Sequence, residues 1–349
     1  MNKNNIFYQE VVRNIENCVD FGRFNNKTFL ITGATGLIGV CLIDVLMRAK
    51  EHGTNIKIYV VGRNREKAYE RLGDYYDDYH FKFIEQDVRQ PLPDSLKVDY
   101  IIPLASNTHP LAYSQYPVET IEINVKGAEY ALQKAVECNA TVLYPSTVEV
   151  YGNARGEDVF TEDYTGILNL STARACYTES KRVSEAMCQS YIEEKGAKVK
   201  IVRLSRIFGP TMLMNDSKAS SQFIIKALNG EDIVLKSNGE QYFSYTYVAD
   251  GVSAILHVLL DGEIGVPYNI SNEACNVHLK DFAAYCAEWA GKSVVFDLPS
   301  ETERKGFSVA MNAILDNSRL KNIGWIPRYN MKEAIWNTLD ILADKNVTK

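Results

Sequence analysis

The segment Thr32–Gly39, TGATGLIG, constrains this chain more than any other. The apolar run Phe29-Leu30-Ile31 feeds three glycines, and the glycines feed Leu37–Met47, where apolar residues recur at helical spacing. Strand, glycine turn and helix in that order are the context in which a dinucleotide fingerprint carries meaning. Gly33 permits the tight turn, Gly36 lets the backbone approach a pyrophosphate, and Gly39 lets the helix pack closely on its strand. Free N–H groups at the helix start then face the anion. Thr35, Leu37 and Ile38 are expected to lie against the same ligand. The spacing is G-x-x-G-x-x-G rather than the commoner G-x-G-x-x-G. The competing reading is a glycine-rich turn in an α/β protein that binds no nucleotide.

The same alternation continues along the chain. The pattern predicts strands at Thr28–Thr32, Lys57–Gly62, Phe81–Glu85, Tyr100–Pro103, Thr141–Pro145 and Val199–Leu204. It predicts helices at Leu37–Ala49, Arg65–Leu72, Pro117–Cys138 and Ala175–Glu194. Repeated βα units mean a parallel sheet covered on both faces. The fold class expected is therefore α/β, a Rossmann-type doubly wound parallel sheet with a smaller C-terminal α/β domain for substrate. Residues 1–26 read as an N-terminal helical extension, with Ile6, Phe7, Val11, Ile15 and Val19 on or near one face. Residues 27–209 form the dinucleotide-binding domain, joined by returning segments around 244–272, and 210–349 belong mainly to the second domain, with the cleft between them. In that second part, helices are expected at Ser220–Asn229, Val248–Leu260, Leu279–Ala290 and Met331–Ala343, and a short strand at Pro267–Ser271.

Composition removes other classes. A net charge of -6 argues against nucleic acid as the main partner. No apolar run is long enough to span a bilayer, and the N-terminus lacks the apolar core and cleavage site of a signal peptide. The seven cysteines form no C-x-x-C pair, which suggests buried thiols in a reducing cytoplasm. The five histidines show no metal-binding spacing, so no metal is expected.

Two further segments carry chemistry. In ACYTESKRVSEA, Tyr177 and Lys181 are four apart, one helical turn above each other. An ammonium beside a phenol is expected to lower the tyrosine pKa and make it a base for a sugar hydroxyl. In YPSTVEVYG, Thr147 and Glu149 fall on one side of the chain and Val148 on the other if the strand stays extended. Thr147 is then placed to orient a substrate hydroxyl toward Tyr177. Each segment alone has a bland reading, as surface helix or as a β-branched strand with one exposed glutamate.

Together the three segments resemble the extended short-chain dehydrogenase/reductase family of nucleotide-sugar epimerases, 4,6-dehydratases and decarboxylases. Supporting marks are Gln86-Asp87-Val88, Leu104-Ala105-Ser106, Asn124-Val125-Lys126-Gly127, Arg203, Phe208-Gly209-Pro210, Tyr247-Val248-Ala249-Asp250 and Gly324-Trp325. Within the family, ASNTHPLAYSQYPVETIEIN, RACYTESKRVSEAMCQSY and MLMNDSKASSQFIIKAL look most like UDP-glucuronate decarboxylases. The 4,6-dehydratases carry T-D-E where this chain has Thr147-Val148-Glu149, and valine cannot protonate a leaving hydroxyl.

The resemblance implies Thr147, Tyr177 and Lys181 as a catalytic triad, with Glu149 as a fourth catalytic group. It implies tightly bound, recycled NAD or NADP, held by the glycine loop, Arg63, Asn64, Asp87, Val88, Leu104, Ala105, Ser106, Tyr177 and Lys181. It implies substrate contacts at Thr108 and Arg304, and a homodimer built from the helices around Val118–Cys138 and Tyr177–Tyr191. The substrate would be oxidised at carbon 4, after which carbon dioxide is lost from carbon 5, water is eliminated, or the ketone is reduced on its other face. A reading of another class is a regulatory protein that binds NAD(P) beside a vestigial site.

Three departures bear on specificity. Phe243 stands where the family places an arginine for the substrate diphosphate, and Arg206 stands where it places an asparagine. Arg206 and Lys218 are therefore expected to hold the diphosphate. The second strand ends in Gly62-Arg63 rather than in the acidic residue that binds the ribose 2′-hydroxyl of NAD. Arg63, with Arg65, is placed to pair with the 2′-phosphate of NADP; the alternative is an arginine stacked on adenine or solvated.

Overall fold

The computed structural model describes residues 1–108, 110–152, 159–298 and 312–345. The predicted apolar runs become neighbouring strands: β1 (Lys27–Thr32), β2 (Ile56–Gly62), β3 (Phe81–Glu85), β4 (Tyr100–Pro103) and β5 (Thr141–Thr147). After the two-residue β6 (Val159–Phe160) come β7 (Lys198–Leu204), β8 (Arg206–Phe208), β9 (Ile233–Leu235), β10 (Tyr242–Tyr247) and β11 (Pro267–Ile270). Seven of them form one sheet in the order β11-β7-β5-β4-β1-β2-β3, parallel throughout. Phe29, Leu30 and Ile31 of β1 are all fully buried, as expected of a central strand covered on both faces. The strand order reverses between β1 and β4, so a crevice opens beyond the carboxyl ends of these two strands.

Helix α2 (Leu37–Glu51) leaves the glycine turn and buries nearly its whole length between the sheet and two other helices, α1 (Ile6–Glu16) and α8 (Val248–Asp261). On the opposite face, α5 (Pro117–Cys138) and α6 (Ala175–Lys195) pack side by side over Leu30, Ile101, Val142 and Val199. The buried face of α1 differs from the expected one. It consists of Tyr8, Val11, Val12 and Ile15, while Ile6 is exposed. The reason is polar: Tyr8 donates to Asp44 of α2 at 2.5 Å, and Lys3 and Tyr75 reach the same carboxylate at 2.7 and 2.8 Å. Of the three donors on this carboxylate, Tyr8 belongs to α1 itself and fixes the helix rotation more strongly than the apolar pattern alone.

Most strands after Gly209 are three or four residues long, too short to show a period, and the six-residue β10 is buried along nearly its whole length and so shows no alternation. With β12 (Asn276–His278) and β14 (Asn312–Leu315), a second sheet runs β12-β10-β14-β6, and β8 joins β10. β9 pairs separately with β13 (Val294–Phe296). Because β8 follows directly on β7 of the large sheet and pairs with β10 of the small one, it links the two sheets at the mouth of the cleft.

Gly33 shows how tightly the crevice is built. Its φ is +65°, and an added Cβ would stand 2.5 Å from the backbone nitrogen of Ala105 after β4. Gly33→Ala is expected to lower stability by about 1–3 kcal/mol through backbone strain and to weaken dinucleotide binding. Thermal unfolding with and without nucleotide checks this; an unchanged midpoint and affinity would contradict it.

Candidate functional site

The carboxyl end of β5 carries Thr147, and the chain turns at once into a 3-10 helix, Val148–Tyr151. Glu149 N–H donates to Thr147 Oγ1 at 3.3 Å, which helps set the turn. The extended geometry expected for Thr147-Val148-Glu149 is therefore absent, yet Glu149 still reaches the cleft, where its Oε1 lies 3.8 Å from Arg206 Nη2.

Tyr177 lies in the first turn of α6, and the Thr147 side chain lies close enough to its phenol to lower the phenol pKa. The ring of Tyr113, from the short helix α4 (Pro110–Gln115), stacks on it at 5.6 Å and 25°. Burial pushes the phenol well above its ordinary pKa; the Thr147 side chain lowers it, and the Glu149 carboxylate and Tyr113 raise it further. This corrects the expected electrostatics, because the Lys181 ammonium does not act on the phenol here. Lys181 Nζ instead donates to the Pro145 carbonyl at 2.9 Å and lies 5.1 Å from the Tyr144 ring. Burial lowers its pKa to about 8. A small cavity joins Lys181 to Thr32, Pro103, Ala105 and Asn124, so the lysine opens onto the crevice between β1 and β4.

Beneath Tyr177 runs a hydrogen-bond chain in which Ser106 was expected at the cofactor, while Asn124 and Ser180 carried no assigned role. Ser106 donates to Asn124 Oδ1 at 2.7 Å, Asn124 Nδ2 donates to Ser180 at 2.8 Å, and Ser180 donates to the Tyr177 carbonyl at 2.9 Å. The legible signal was Asn124, Ser180 and Ser184, three polar residues on the inner faces of two paired helices. Tyr113 gave no comparable signal.

The glycine turn fits a dinucleotide. Gly36 caps α2 with no side chain bonded to the helix start, so the first N–H groups face the crevice. A Cβ on Gly39 would stand 2.6 Å from the Cα of Ala34, and the Gly33 turn abuts Leu104 and Ala105. Thr35, Leu37 and Ile38 are half-buried at the same turn. Ala105 N–H donates to Thr32 Oγ1 at 3.1 Å, tying the ends of β1 and β4. Val88 packs near Gly127 of α5, the flank of the crevice.

The remaining candidates have specific partners. Asn64 caps α3 (Arg65–Leu72), accepting from Lys67 N–H at 2.7 Å. Arg63 Nη1 donates to Glu119 of α5 at 2.5 Å and stands 3.8 Å from Asp87. Arg65 turns away to Glu85, so it does not join Arg63 in a clamp. The Arg206 guanidinium lies 3.7 Å over the Phe243 ring, and its buried Nη1 has no partner among the described residues. A guanidinium thus stands over Phe243, reaching from the adjacent strand to the place where the resemblance expects an arginine. Lys218 pairs with Asp216 at 3.0 Å, at the start of the helix Ala219–Leu228. Thr108 is exposed just after β4. Arg304 lies outside the described residues. Among the described residues, no group of His, Cys, Asp and Glu can hold a metal, and no helix is long and apolar enough to cross a membrane.

Comparison with known proteins points the same way. The profile of the NAD dependent epimerase/dehydratase family matches residues 29–271. UDP-glucuronic acid decarboxylase 1 of Xenopus tropicalis is 31% identical over 319 residues, 90% of this chain and 72% of its own length. UDP-glucuronic acid decarboxylase 6 of Arabidopsis thaliana is 31% identical over 317 residues, 89% of this chain and 87% of its own. A UDP-glucuronic acid 4-epimerase structure from Bacillus cereus, in complex with UDP-glucuronic acid and NAD, superposes with a TM-score of 0.76 at 19% identity, covering 90% of this chain and 98% of that one. The dTDP-glucose 4,6-dehydratase DesIV from Streptomyces venezuelae, with NAD bound, gives 0.75 at 22%, covering 91% and 97%.

Proposed function

Because the chain belongs to the NAD dependent epimerase/dehydratase family, we propose that it oxidises a nucleotide sugar at carbon 4 with bound NAD and releases carbon dioxide from UDP-glucuronate. The observation that carries this reading is the Tyr177 phenol on α6 beside the Thr147 side chain, with Lys181 one turn on lining the crevice between β1 and β4. The extent of identity to the decarboxylases supports the choice of substrate.

NAD, when bound, accepts and returns hydride and brings positive charge into the cleft. Thr147 holds the sugar 4-hydroxyl and the Tyr177 phenol in one hydrogen-bonded line. Tyr177 takes the hydroxyl proton. Its raised pKa means that the phenolate needs compensating positive charge, which Lys181 supplies by turning from the Pro145 carbonyl toward the crevice. The 4-ketone then stabilises the negative charge left on carbon 5 as the carboxylate departs. Glu149, at the 3-10 turn, takes up a proton from solvent and passes it to that carbon. Orientation of this kind contributes several kcal/mol by proximity. Incubation with UDP-glucuronate read by mass spectrometry tests the reading; a 4-epimer of unchanged mass would shift it to epimerisation.

Arg206 and Lys218 take the substrate diphosphate, Arg206 from its seat on Phe243. Arg206→Ala combined with Lys218→Ala is expected to weaken substrate binding by about tenfold or more while leaving NAD affinity unchanged. Unchanged substrate affinity in calorimetry would remove both residues from this role. The exposed apolar side chains Val118, Ile121 and Val183 on α5 and α6 support a homodimer through these helices, and light scattering at the monomer mass would exclude it. The free thiols of all seven cysteines fit a cytoplasmic setting.

A further inference from the structure

We propose that Glu119, on α5, makes the cofactor site selective for NAD over NADP. The inference rests on reading the glycine crevice as a dinucleotide site. In such a site the adenosine ribose lies at the carboxyl end of β2, where Arg63 stands. The expected acidic residue is missing from β2, and Arg63 alone would favour a 2′-phosphate. The structure supplies carboxylates from other elements. Glu119, in the first turn of α5, binds Arg63 Nη1 at 2.5 Å, and Asp87, after β3, lies 3.8 Å from the same nitrogen.

The neighbouring cations are matched as well. Arg89 grips both Asp87 oxygens, at 2.7 and 3.1 Å, and Glu122 at 3.1 Å; Lys126 holds the other Glu122 oxygen at 3.1 Å. Three carboxylates, Asp87, Glu119 and Glu122, thus face Arg63, Arg89 and Lys126, and both guanidiniums are already paired among the described residues. A 2′-phosphate carries roughly −1.5 to −2 charges at neutral pH. To pair with Arg63 it must displace Glu119 and then sit beside that carboxylate and Asp87. A 2′-hydroxyl meets no such repulsion and can donate to either oxygen. Glu119 therefore performs, from α5, the discrimination that other dinucleotide sites perform from the end of β2.

Calorimetry on the full-length protein, freed of co-purified nucleotide, tests this with NAD and NADP. The wild type is expected to bind NAD at least about tenfold more tightly than NADP. Glu119→Gln is expected to narrow that ratio by about tenfold, through a gain in NADP affinity with NAD little changed. Adding Arg63→Ala should remove the gain, because the freed guanidinium is what the phosphate meets. A wild type that binds NADP as tightly as NAD, or a ratio unmoved by Glu119→Gln, would overturn the proposal while leaving the dinucleotide site intact. Failure of the wild type to bind either nucleotide would instead overturn the dinucleotide reading, and this proposal with it.

Discussion

Tyr177→Phe is expected to cut turnover of UDP-glucuronate by about 10²–10⁴-fold, the range typical of losing a positioned acid–base group. The substitution removes one oxygen. It leaves the ring stacked on Tyr113 and the first turn of α6 in place. The unfolding midpoint and NAD affinity are therefore expected to stay near wild type, which separates loss of a proton acceptor from loss of structure. Thr147 is proposed to act on the same hydroxyl as Tyr177, so Thr147→Ala combined with Tyr177→Phe should cost little more than Tyr177→Phe alone. A variant that keeps most of its turnover would remove Tyr177 from the chemistry.

Lys181→Met is expected to stabilise the nucleotide-free protein while removing turnover. Lys181 is 5% exposed, and burial lowers its pKa from 10.5 to about 8. At neutral pH the side chain is still charged, so the fold bears the cost of a buried ammonium, about 3 kcal/mol from that shift. The bond to the Pro145 carbonyl offsets about 1 kcal/mol of it. A net gain of about 1–3 kcal/mol for the methionine variant follows. The sign with pH is fixed by the direction of the shift. Below pH 8 both folded and unfolded chains are protonated and the full cost is present. Between 8 and 10.5 the folded protein has released the proton and the unfolded chain retains it, so wild-type stability rises with pH and the advantage of the variant fades. Chemical denaturation at several pH values measures this, and a variant less stable than wild type at neutral pH would show that the lysine is structural.

Much of the fold is legible in the sequence because its central strands are buried on both faces. Phe29-Leu30-Ile31 and the apolar positions Val199, Ile201 and Val202 stand out, and the helices between them are long enough to show their period. Leu279–Ala290 was predicted to the residue for the same reason. The small sheet was not legible: β6, β8 and β12 are two or three residues long, below the length at which alternation appears. The candidate site divides along the same line. Tyr177, Lys181 and the glycines announce themselves by spacing, whereas Tyr113, Ser180 and Glu119 matter through contacts across elements. The partner of Arg63 comes from a residue 56 positions away. Likewise, the seat of Arg206 on Phe243 depends on β8 pairing with β10. The electrostatic expectation for Tyr177 failed because helical spacing fixes which residues share a face but not which acceptor a flexible lysine chooses.

Incubating the purified protein with UDP-glucuronate and substoichiometric NAD tests the proposed reaction most directly. The expected result is many turnovers to a UDP-pentose lighter by the mass of carbon dioxide, with no build-up of NADH. A nucleotide sugar returned unchanged in mass and retention, with NAD bound and Tyr177 intact, would contradict it.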